Sequence, residues 1–448
     1  MSRSAEFRGP RAPQAVQMYR FLRDEEGYTN ELHARYGDAF HIKFERRGWH
    51  MFSDPEAIRQ IFTAPPSIAH AGEANEILRT VLGPHSVLVV DGAEHLRQRR
   101  MLLPQFHGDR LRAWRGAMER VAEDRVRRMP PGRPFSLRPH MTAIALEVIL
   151  EVVLGVRGAE EHERIARPVD RLLDWLAAPR NLVLPAVFGP DSAIVRRVHR
   201  PVLDPVDTAL YRLIRERRFA TDLEGRDDIL SMLLLARDEQ GVELHDEEVR
   251  DELVTLIVAG HETTATALSW GFERLTRDPA RLARLEAEAD AGESTRYAEA
   301  IFREALRLRP VLNNVLRTLQ EPYEIGGVVY PKGAVLAPSI YLVHRRPDVY
   351  PDPLAFDPER WLDSSPGTYT WIPFGGGTRR CIGAQFAQLE MEIVLHAIAR
   401  AVHLEPVGEA EPPVPRFITS SPQRGCEVRI GERPAAAGRA EPALNAAA

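Results

Sequence analysis

The spacing of hydrophobic and polar positions predicts a mainly α protein with a smaller β region. Short strand-like runs occupy residues 40–44 and 49–52. A helix is expected to start at Asp54-Pro55, because proline suits the first turn of a helix. From about residue 94 to about residue 275 the hydrophobic pattern is mainly helical. Helices therefore account for most of the expected fold.

Proline-rich stretches divide this helical part of the chain. They lie at residues 130–134, 185–190 and 201–205. Each predicts a helix boundary, since proline lacks the N–H group that a helix interior needs. No stretch is rich enough in glycine and serine to be a flexible linker between domains. We therefore expect a single domain over residues 10–432.

The longest helical pattern covers residues 242–277. It begins with acidic residues at 246–248, which suit the positive end of a helix dipole, and it ends before Pro279. Its middle, LVTLIVAG, is apolar on every face, which is typical of a helix buried in a large fold. We expect this helix to cross the core and to line a functional site.

The last third of the chain is more irregular. Short strands are expected within residues 326–338, followed by a long proline-rich loop over 347–373. Helix resumes after Gly383 and runs to Ala401. Residues 433–448 have low complexity and are predicted to be a disordered tail.

Composition and charge narrow the functional class. The chain has 448 residues, of which 44% are hydrophobic, enough for a large core. The net charge is −5 and the basic residues are dispersed, which argues against a nucleic-acid partner. The N-terminus has no apolar stretch of a secretory signal or membrane anchor, and two cysteines cannot cross-link so long a chain. A cytoplasmic protein that acts on small molecules is expected.

The first candidate site is the segment FGGGTRRCIG, residues 374–383, which leads directly into a helix. A cysteine at a helix N-terminus has its thiolate stabilised by free backbone N–H groups and the helix dipole. The glycines would let the backbone approach a large flat group. An isolated cysteine is more often an inert core residue. Cys426 is interpreted in that way, as structural or incidental.

The second candidate site is AGHETT, residues 259–264, in the middle of the long helix. Gly260 and Thr263 share a helix face, and Glu262 is adjacent. The simpler alternative is a packing glycine and a threonine that bonds back to a carbonyl group. A zinc site of the form H-E-x-x-H is excluded, because Ala265 stands where the second histidine would be.

Two further pairs have helical spacing. Glu304 and Arg307 are three residues apart, and His95 and Arg99 are four apart. Taken alone, the first is an ordinary exposed ion pair and the second part of a solvated basic helix. Their position relative to the cysteine segment gives them more weight.

Residues 374–383 match the signature FxxGxRxCxG at every defining position, and the chain thereby resembles the cytochrome P450 family. The resemblance implies a fold with a long central helix over haem b and implies that Cys381 is the axial thiolate ligand of the iron. By the same resemblance, Phe374 packs near the sulfur, Arg379 reaches a haem propionate and Gly383 completes the signature. AGHETT matches the family's oxygen-binding segment.

The family pattern also assigns roles outside the signature. By resemblance, Gly260 leaves room beside the iron, while Glu262 and Thr263 relay protons. The resemblance implies that His95 and Arg99 bind the propionates together with Arg317. It also implies that Glu304 and Arg307 join Arg360 to hold the cysteine segment.

The implied reaction is monooxygenation of a hydrophobic small molecule by O2, as hydroxylation or epoxidation. A terpenoid, a fatty acid or a polyketide-like product of secondary metabolism is expected as substrate. No GxGxxG motif is present, so electrons are expected from a separate ferredoxin and ferredoxin reductase. Arg97 and Arg100 are hypothesised to face that donor. The alternatives are a peroxide-driven haem-thiolate enzyme or isomerase, and a non-catalytic haem sensor of ligands.

The candidate substrate pocket is drawn from segments that vary within the family. Most of its members are apolar, as a hydrophobic ligand requires, although the same residues could belong to the core. One of the two asparagines is expected to bond to an oxygen of the substrate. The candidates are Leu82, Val87, Leu176, Ala259, Leu312, Asn313, Asn314 and Ser420.

Overall fold

The computed structural model describes residues 7–44, 47–106, 108–156, 158–178, 180–363, 366–416 and 418–433. Helices dominate it, as predicted. The α-helices are α1 Gln14–Arg23, α2 Glu25–Tyr36, α3 Pro55–Thr63, α4 Arg79–Leu82, α5 Gly92–Leu102, α6 Asp109–Arg127, α7 Arg138–Val148, α8 Ala159–Leu176, α9 Arg180–Phe188, α10 Ala193–Arg218, α11 Ile229–Leu235, α12 Asp246–Leu275, α13 Pro279–Ala291, α14 Arg296–Leu308, α15 Ile340–Val343 and α16 Ala384–Ala401.

Short strands form the smaller β region. They are β1 Ala39–Ile42, β2 Trp49–Phe52, β3 Ala69–His70, β4 Phe135–Ser136, β5 Arg317–Leu319, β6 Tyr323–Ile325, β7 Val328–Tyr330, β8 Val335–Pro338, β9 His403–Pro406, β10 Pro413–Arg416, β11 Thr419–Pro422 and β12 Glu427–Gly431. One sheet has the order β1-β2-β8-β5-β3, and β4-β12-β9 form another. The pairs β6-β7 and β10-β11 are hairpins.

Local signals account for several element boundaries. The predicted strands near residues 40 and 50 pair as β1 and β2, with His41 opposite His50. Helix α3 begins at Pro55, and the Asp54 side chain accepts a hydrogen bond from Ala57 N–H at 2.8 Å. The predicted segment 326–338 contains β7 and β8. These predictions are confirmed.

The predicted central helix is α12, which is 30 residues long. His245 precedes it, and the Glu248 side chain accepts from the His245 N–H at 2.8 Å, which satisfies a free donor at the helix start. Most of α12 is buried on all sides, as its apolar middle predicts. It packs against α7, α14 and α16 in the main hydrophobic core.

The proline-based boundary at residues 201–205 is wrong. Helix α10 runs continuously through Pro201 and Pro205. Each proline removes one helical hydrogen bond, but α10 buries an apolar stripe against α8 and α12, so tertiary packing overrides the local preference.

The C-terminal tail and the possibility of a membrane-spanning helix were both considered at the sequence level. Beyond residue 433, the tail predicted to be disordered lies outside the described residues. Among the residues that the structure describes, no helix has both the length and the apolar character that crossing a membrane requires.

Candidate active site

Cys381 lies three residues before α16, at the end of the cysteine loop, residues 374–383. Its N–H donates to the Phe374 carbonyl oxygen at 2.9 Å, which closes the loop. The Phe374 ring packs edge-on against Trp371, with ring centroids 6.0 Å apart. The Cys381 side chain remains accessible to solvent. The loop therefore presents the sulfur atom at a surface.

The surroundings of the Cys381 thiol shift its pKa in opposite directions. Enclosure by protein raises the pKa of Cys381, while the Gly383 backbone N–H and the guanidinium groups of Arg99 and Arg380 oppose that shift. The thiol is thus surrounded by protein groups and still accessible to solvent. A metal cation would tip this balance toward the thiolate.

Two glycines of the cysteine loop have a packing role within the chain. A Cβ atom on Gly376 would lie 2.2 Å from the Phe62 ring, and one on Gly377 would lie 1.9 Å from the Phe62 carbonyl oxygen. Both glycines therefore let the loop pack against the end of α3. A Cβ atom on Gly375 or Gly383 would meet no neighbouring atom within 4 Å, so the predicted approach to a flat group stays a prediction for the loop.

Four residues predicted to bind propionates come together although they are distant in sequence. His95 and Arg99 lie on α5, Arg317 begins β5, and Arg379 lies in the cysteine loop. Burial first, and then the three nearby guanidinium groups, lower the pKa of His95 to about 3. Burial lowers the pKa values of Arg317 and Arg379 to about 10. The cluster concentrates positive charge in the interior.

Asp91 is the acidic member of this cluster, and the sequence analysis missed it. Its carboxylate accepts from the backbone N–H groups of Ala71, Gly72 and Glu73 at 2.8–3.0 Å and contacts the Arg379 guanidinium. Asp91 directly precedes α5, where an aspartate is commonly a helix cap. Its position in the sequence therefore did not mark it as a member of this charged cluster. One carboxylate among three arginines leaves a surplus of positive charge that suits an anionic ligand.

One face in the middle of α12 is open although the rest of the helix is buried. Leu256, Ala259, Gly260 and Thr263 are more accessible than their neighbours. Their spacing places them along one helix face. A Cβ atom on Gly260 would lie 3.2 Å from a methyl group of Ile149, so this glycine allows close packing of α12 against the turn after α7. That packing role matches the alternative interpretation of Gly260.

Glu262 and Thr263 engage different partners. The Thr263 hydroxyl donates to the Ala259 carbonyl oxygen at 2.7 Å, as the alternative interpretation expects. The Glu262 carboxylate is buried and accepts from Nη2 of Arg138 at 2.5 and 2.7 Å. The Thr419 hydroxyl and the Arg416 guanidinium lie 3.4 and 3.5 Å from its Oε1 atom.

Arg138 was not a candidate before the structure was known. It begins α7, 124 residues from Glu262 in sequence, and no local pattern distinguishes it from the chain's other arginines. Only the packing of α7 on α12 brings the two charges together. The contact makes Glu262 a paired carboxylate in the described structure.

The predicted ion-pair network is present and buried. Two Arg307 nitrogens donate to the two Glu304 oxygens at 2.8 Å each, and neither side chain is exposed. Arg360 donates to Glu304 at 3.2 Å and Trp361 donates at 2.9 Å. Arg307 also donates to three carbonyl groups, those of His344, Pro353 and Ala355. The pair therefore ties α14 to the irregular segment that leads to the cysteine loop.

This arrangement agrees with the comparison against known proteins. The sequence model of the family described as "Cytochrome P450" matches residues 13–426. The chain is a cytochrome P450. The family establishes a haem-thiolate monooxygenase, with haem held by a cysteine thiolate.

Relatives and solved structures support the same assignment. Two relatives from Mycobacterium tuberculosis bear the cytochrome P450 names 135B1 and 135A1. They are 38% and 36% identical to this chain; each alignment covers 94% of it, and 90% and 94% of the relative. The retinoic-acid-bound cyanobacterial P450 named CYP120A1 is 23% identical over 93% of this chain and 96% of its own, with TM-score 0.80. The haem domain of cytochrome P450DA is 24% identical over 96% and 97%, with TM-score 0.81.

The residues of this P450 fit a haem group. The accessible Cys381 thiol supplies the soft ligand that iron takes in the family. The positive cluster supplies donors for two carboxylates, and Nδ1 of His95 is a buried atom that has no partner among the described residues. The open face of α12 is lined by small and apolar side chains.

The candidate pocket residues lie in different parts of the fold. Leu82, Val87 and Leu176 are almost fully buried in the main core, as their alternative interpretation allowed. Ala259 is exposed on the open face of α12. The Ser420 carbonyl oxygen accepts from the Trp270 indole at 2.8 Å, which holds β11 against α12. Leu312 is half-buried and packs on the second core, whose members include Phe62 and Leu319.

The two asparagines also have a partner within the chain, and the Oδ1 atom of each has none among the described residues. The Asn314 amide donates to the Glu25 carboxylate of α2 at 2.9 Å. Burial raises the pKa of Glu25 to about 7, and hydrogen bonds from Asn313 and Asn314 oppose the shift. Both amides therefore stabilise a buried carboxyl group.

Arg97 and Arg100 do not present free charges either. Arg97 donates to Asp238 at 3.0 Å and to Glu248 at 2.8 Å, and Arg100 pairs with Glu239 at 2.5 Å. Both guanidinium groups therefore have acidic partners within the chain, the Arg100 pair being largely exposed, and the donor-facing role stays a prediction.

Proposed function

We propose that this P450 inserts one oxygen atom of O2 into a terpenoid, fatty acid or polyketide-like molecule of secondary metabolism. The product would be an alcohol or an epoxide, and the second oxygen atom leaves as water after uptake of two electrons and two protons. The observation that carries the proposal is an accessible Cys381 thiol near Arg99 of the positive cluster, and the open face of α12 supports it.

Cys381 is the iron ligand in this proposal, and His95, Arg99, Arg317 and Arg379 bind the propionates. Bound haem supplies the iron that activates O2, and a thiolate ligand favours cleavage of the O–O bond. Phe374 and Gly383 hold the sulfur through contacts of the loop backbone, as the 2.9 Å bond to Phe374 and the N–H group of Gly383 indicate.

Protons reach the O2 side through Glu262 and Thr263. Glu262 must first exchange its bond to Arg138 for a water or for another donor, because both of its oxygen atoms accept from that arginine. Arg416, which is more exposed than Arg138, lies 3.5 Å from Glu262 Oε1 and marks the route to solvent. The Thr263 hydroxyl, whose proton is donated to Ala259, keeps lone pairs free to accept a bond. Gly260 contributes by allowing close packing of α12 beside this route.

Electrons come from a separate ferredoxin and ferredoxin reductase in the cytoplasm. The chain contains no nucleotide-binding glycine motif that would let it take electrons from NADPH itself. Two other haem-thiolate functions are separable by experiment, a peroxide-driven reaction or isomerisation and ligand sensing without turnover.

The test combines substrate screening with isotope labelling. Candidate terpenoids, fatty acids and polyketides are first ranked by the change that they cause in the haem spin state. Turnover is then run with a surrogate ferredoxin, its reductase, NADPH and ¹⁸O₂. We expect one ¹⁸O atom per product and no product without the ferredoxin. Equal product from hydrogen peroxide alone would support a peroxide-driven enzyme, and spectral binding without any product would support a sensor.

A further inference from the structure

His344 connects the ion-pair network to the segment that enters the cysteine loop. It directly follows α15 and its side chain is fully buried. The His344 carbonyl oxygen accepts from Arg307 at 3.0 Å. Its Nε2 atom accepts from the Ile372 N–H at 2.8 Å. One residue therefore contacts both Arg307 and the start of the loop.

The bond to Ile372 matters because of where Ile372 lies. Ile372 is buried, and a buried N–H group needs an acceptor. The next residue is Pro373, which has no N–H, so Ile372 provides the last backbone donor before Phe374. The Ile372 carbonyl oxygen in turn accepts from Gly375 N–H at 2.9 Å. His344 thus supplies a side-chain acceptor at a point where the chain is not paired in a sheet.

The charge state of His344 suits a permanent acceptor. Burial, with the positive charges of Arg307 and Arg345, lowers its pKa to about 3. The ring is therefore neutral at physiological pH. Since Nε2 accepts a hydrogen bond, the ring proton must be on Nδ1.

We propose that His344 is a positioning residue for the iron-binding thiolate. Its Nε2 atom holds the entrance of the cysteine loop and thereby maintains the geometry in which Cys381 binds iron as a thiolate. This inference rests on the proposed role of Cys381. It concerns a residue that touches neither haem nor substrate.

The experiment compares two replacements in the haem-loaded protein. His344→Leu removes the acceptor, whereas His344→Gln places an amide oxygen near the position of Nε2. The matched control is His396→Leu, which removes a ring nitrogen bonded to Glu288 at 3.0 Å, away from the loop. The readouts are the Soret band of the reduced carbon monoxide complex and the hydrogen exchange rate of a peptide that contains Ile372.

His344→Leu is expected to exchange the Ile372 N–H roughly tenfold faster, as loss of one buried hydrogen bond predicts. It should also move part of the Soret absorption from the red-shifted thiolate band to the band of the protonated thiol. His344→Gln should restore both values, and His396→Leu should match the wild type.

Three results would overturn the proposal. The first is wild-type exchange and a wild-type Soret band in haem-loaded His344→Leu. The second is His344→Gln behaving as poorly as His344→Leu, whether both fold or both fail to load haem. The third is an equal change in His396→Leu. Failure of the proposed function is distinguishable: if Cys381 were not the iron ligand, the wild type itself would lack the red-shifted band, whereas failure of monooxygenation alone would change neither the Soret band nor the exchange rate.

Discussion

Two buried glutamates, Glu304 and Glu262, each pair with an arginine, but their surroundings differ. Glu304 binds Arg307 through two separate nitrogens at 2.8 Å, and Arg360, Trp361 and a backbone N–H also donate to it. Glu262 has a single close donor atom, Nη2 of Arg138, and its other contacts lie at 3.4 Å or more.

The difference separates a scaffold from a group that can react. A carboxylate with donors on every side stays in place, whereas one that depends on a single nitrogen can exchange partners at lower cost. Glu304 contacts the irregular segment that leads to the cysteine loop, and Glu262 lies on α12, the helix with the open face. The same pair of residue types thus serves different purposes according to the number and direction of its donors.

The largest expected effect is on Glu304. Glu304→Gln leaves the Arg307 charge unpaired in the interior and should lower the free energy of unfolding by about 3–5 kcal/mol. Haem retention should fall with it. Chemical denaturation and the haem-to-protein absorbance ratio measure these effects. The control is Glu299→Gln, which breaks a more exposed pair with Arg303 and should cost less than about 1 kcal/mol. Equal stabilities of the two variants would contradict a scaffold role.

A smaller effect on stability is expected at Arg138, and a larger effect on turnover is expected at its partner Glu262. Arg138→Met should destabilise the fold by about 2 kcal/mol, since Glu262 keeps other polar contacts. Glu262→Gln should lower kcat about tenfold to a hundredfold and raise the solvent isotope effect, as loss of a proton carrier predicts. Arg416→Met, at the more exposed contact, should change kcat and the solvent isotope effect less than Glu262→Gln does. An unchanged kcat and isotope effect in Glu262→Gln would exclude the proton route.

The smallest expected effect, taken over one pH unit, is a pH dependence of stability from Glu390 of α16. Burial raises the pKa of Glu390 to about 8, and a bond from Thr264 opposes the shift. Between about pH 4.5 and pH 8, the Glu390 side chain is therefore protonated in the folded state and ionised in the unfolded state. Stability should fall as pH rises from about 4.5 to 8, by at most about 1.4 kcal/mol per pH unit. Denaturation midpoints across this range should be flatter in Glu390→Gln than in the wild type or the exposed control Glu119→Gln. A wild-type slope in Glu390→Gln would refute this origin.

The elements that sequence patterns predicted well are those whose signals are local. The central helix was expected over 242–277 and spans Asp246–Leu275, because its acidic start and closing proline act within one turn. The boundary at 201–205 was wrong, since packing of α10 on its neighbours outweighs two lost helical bonds. Local sequence rules include the helical hydrogen bond that a proline removes, but not the tertiary contacts that offset this loss.

The site residues also divide into those with a local sequence signal and those that only tertiary packing brings together. Cys381, Glu304 and Arg307 stand in short motifs, and the family resemblance made them visible. Arg138 could not be predicted, because its relation to Glu262 exists only after α7 packs on α12. The contact of Asn313 and Asn314 with Glu25 could not be predicted either, because Glu25 lies almost 290 residues earlier and has no sequence link to them.

The most direct test is the absorption spectrum of the reduced protein with carbon monoxide. Wild type, Cys381→Ala and the control Cys426→Ala are compared at equal haem loading. We expect a strongly red-shifted Soret band in the wild type and in Cys426→Ala, and its loss in Cys381→Ala, because only a thiolate ligand gives that band. A red-shifted band that persists in Cys381→Ala, or one that Cys426→Ala loses, would contradict the assignment of Cys381 as the iron ligand.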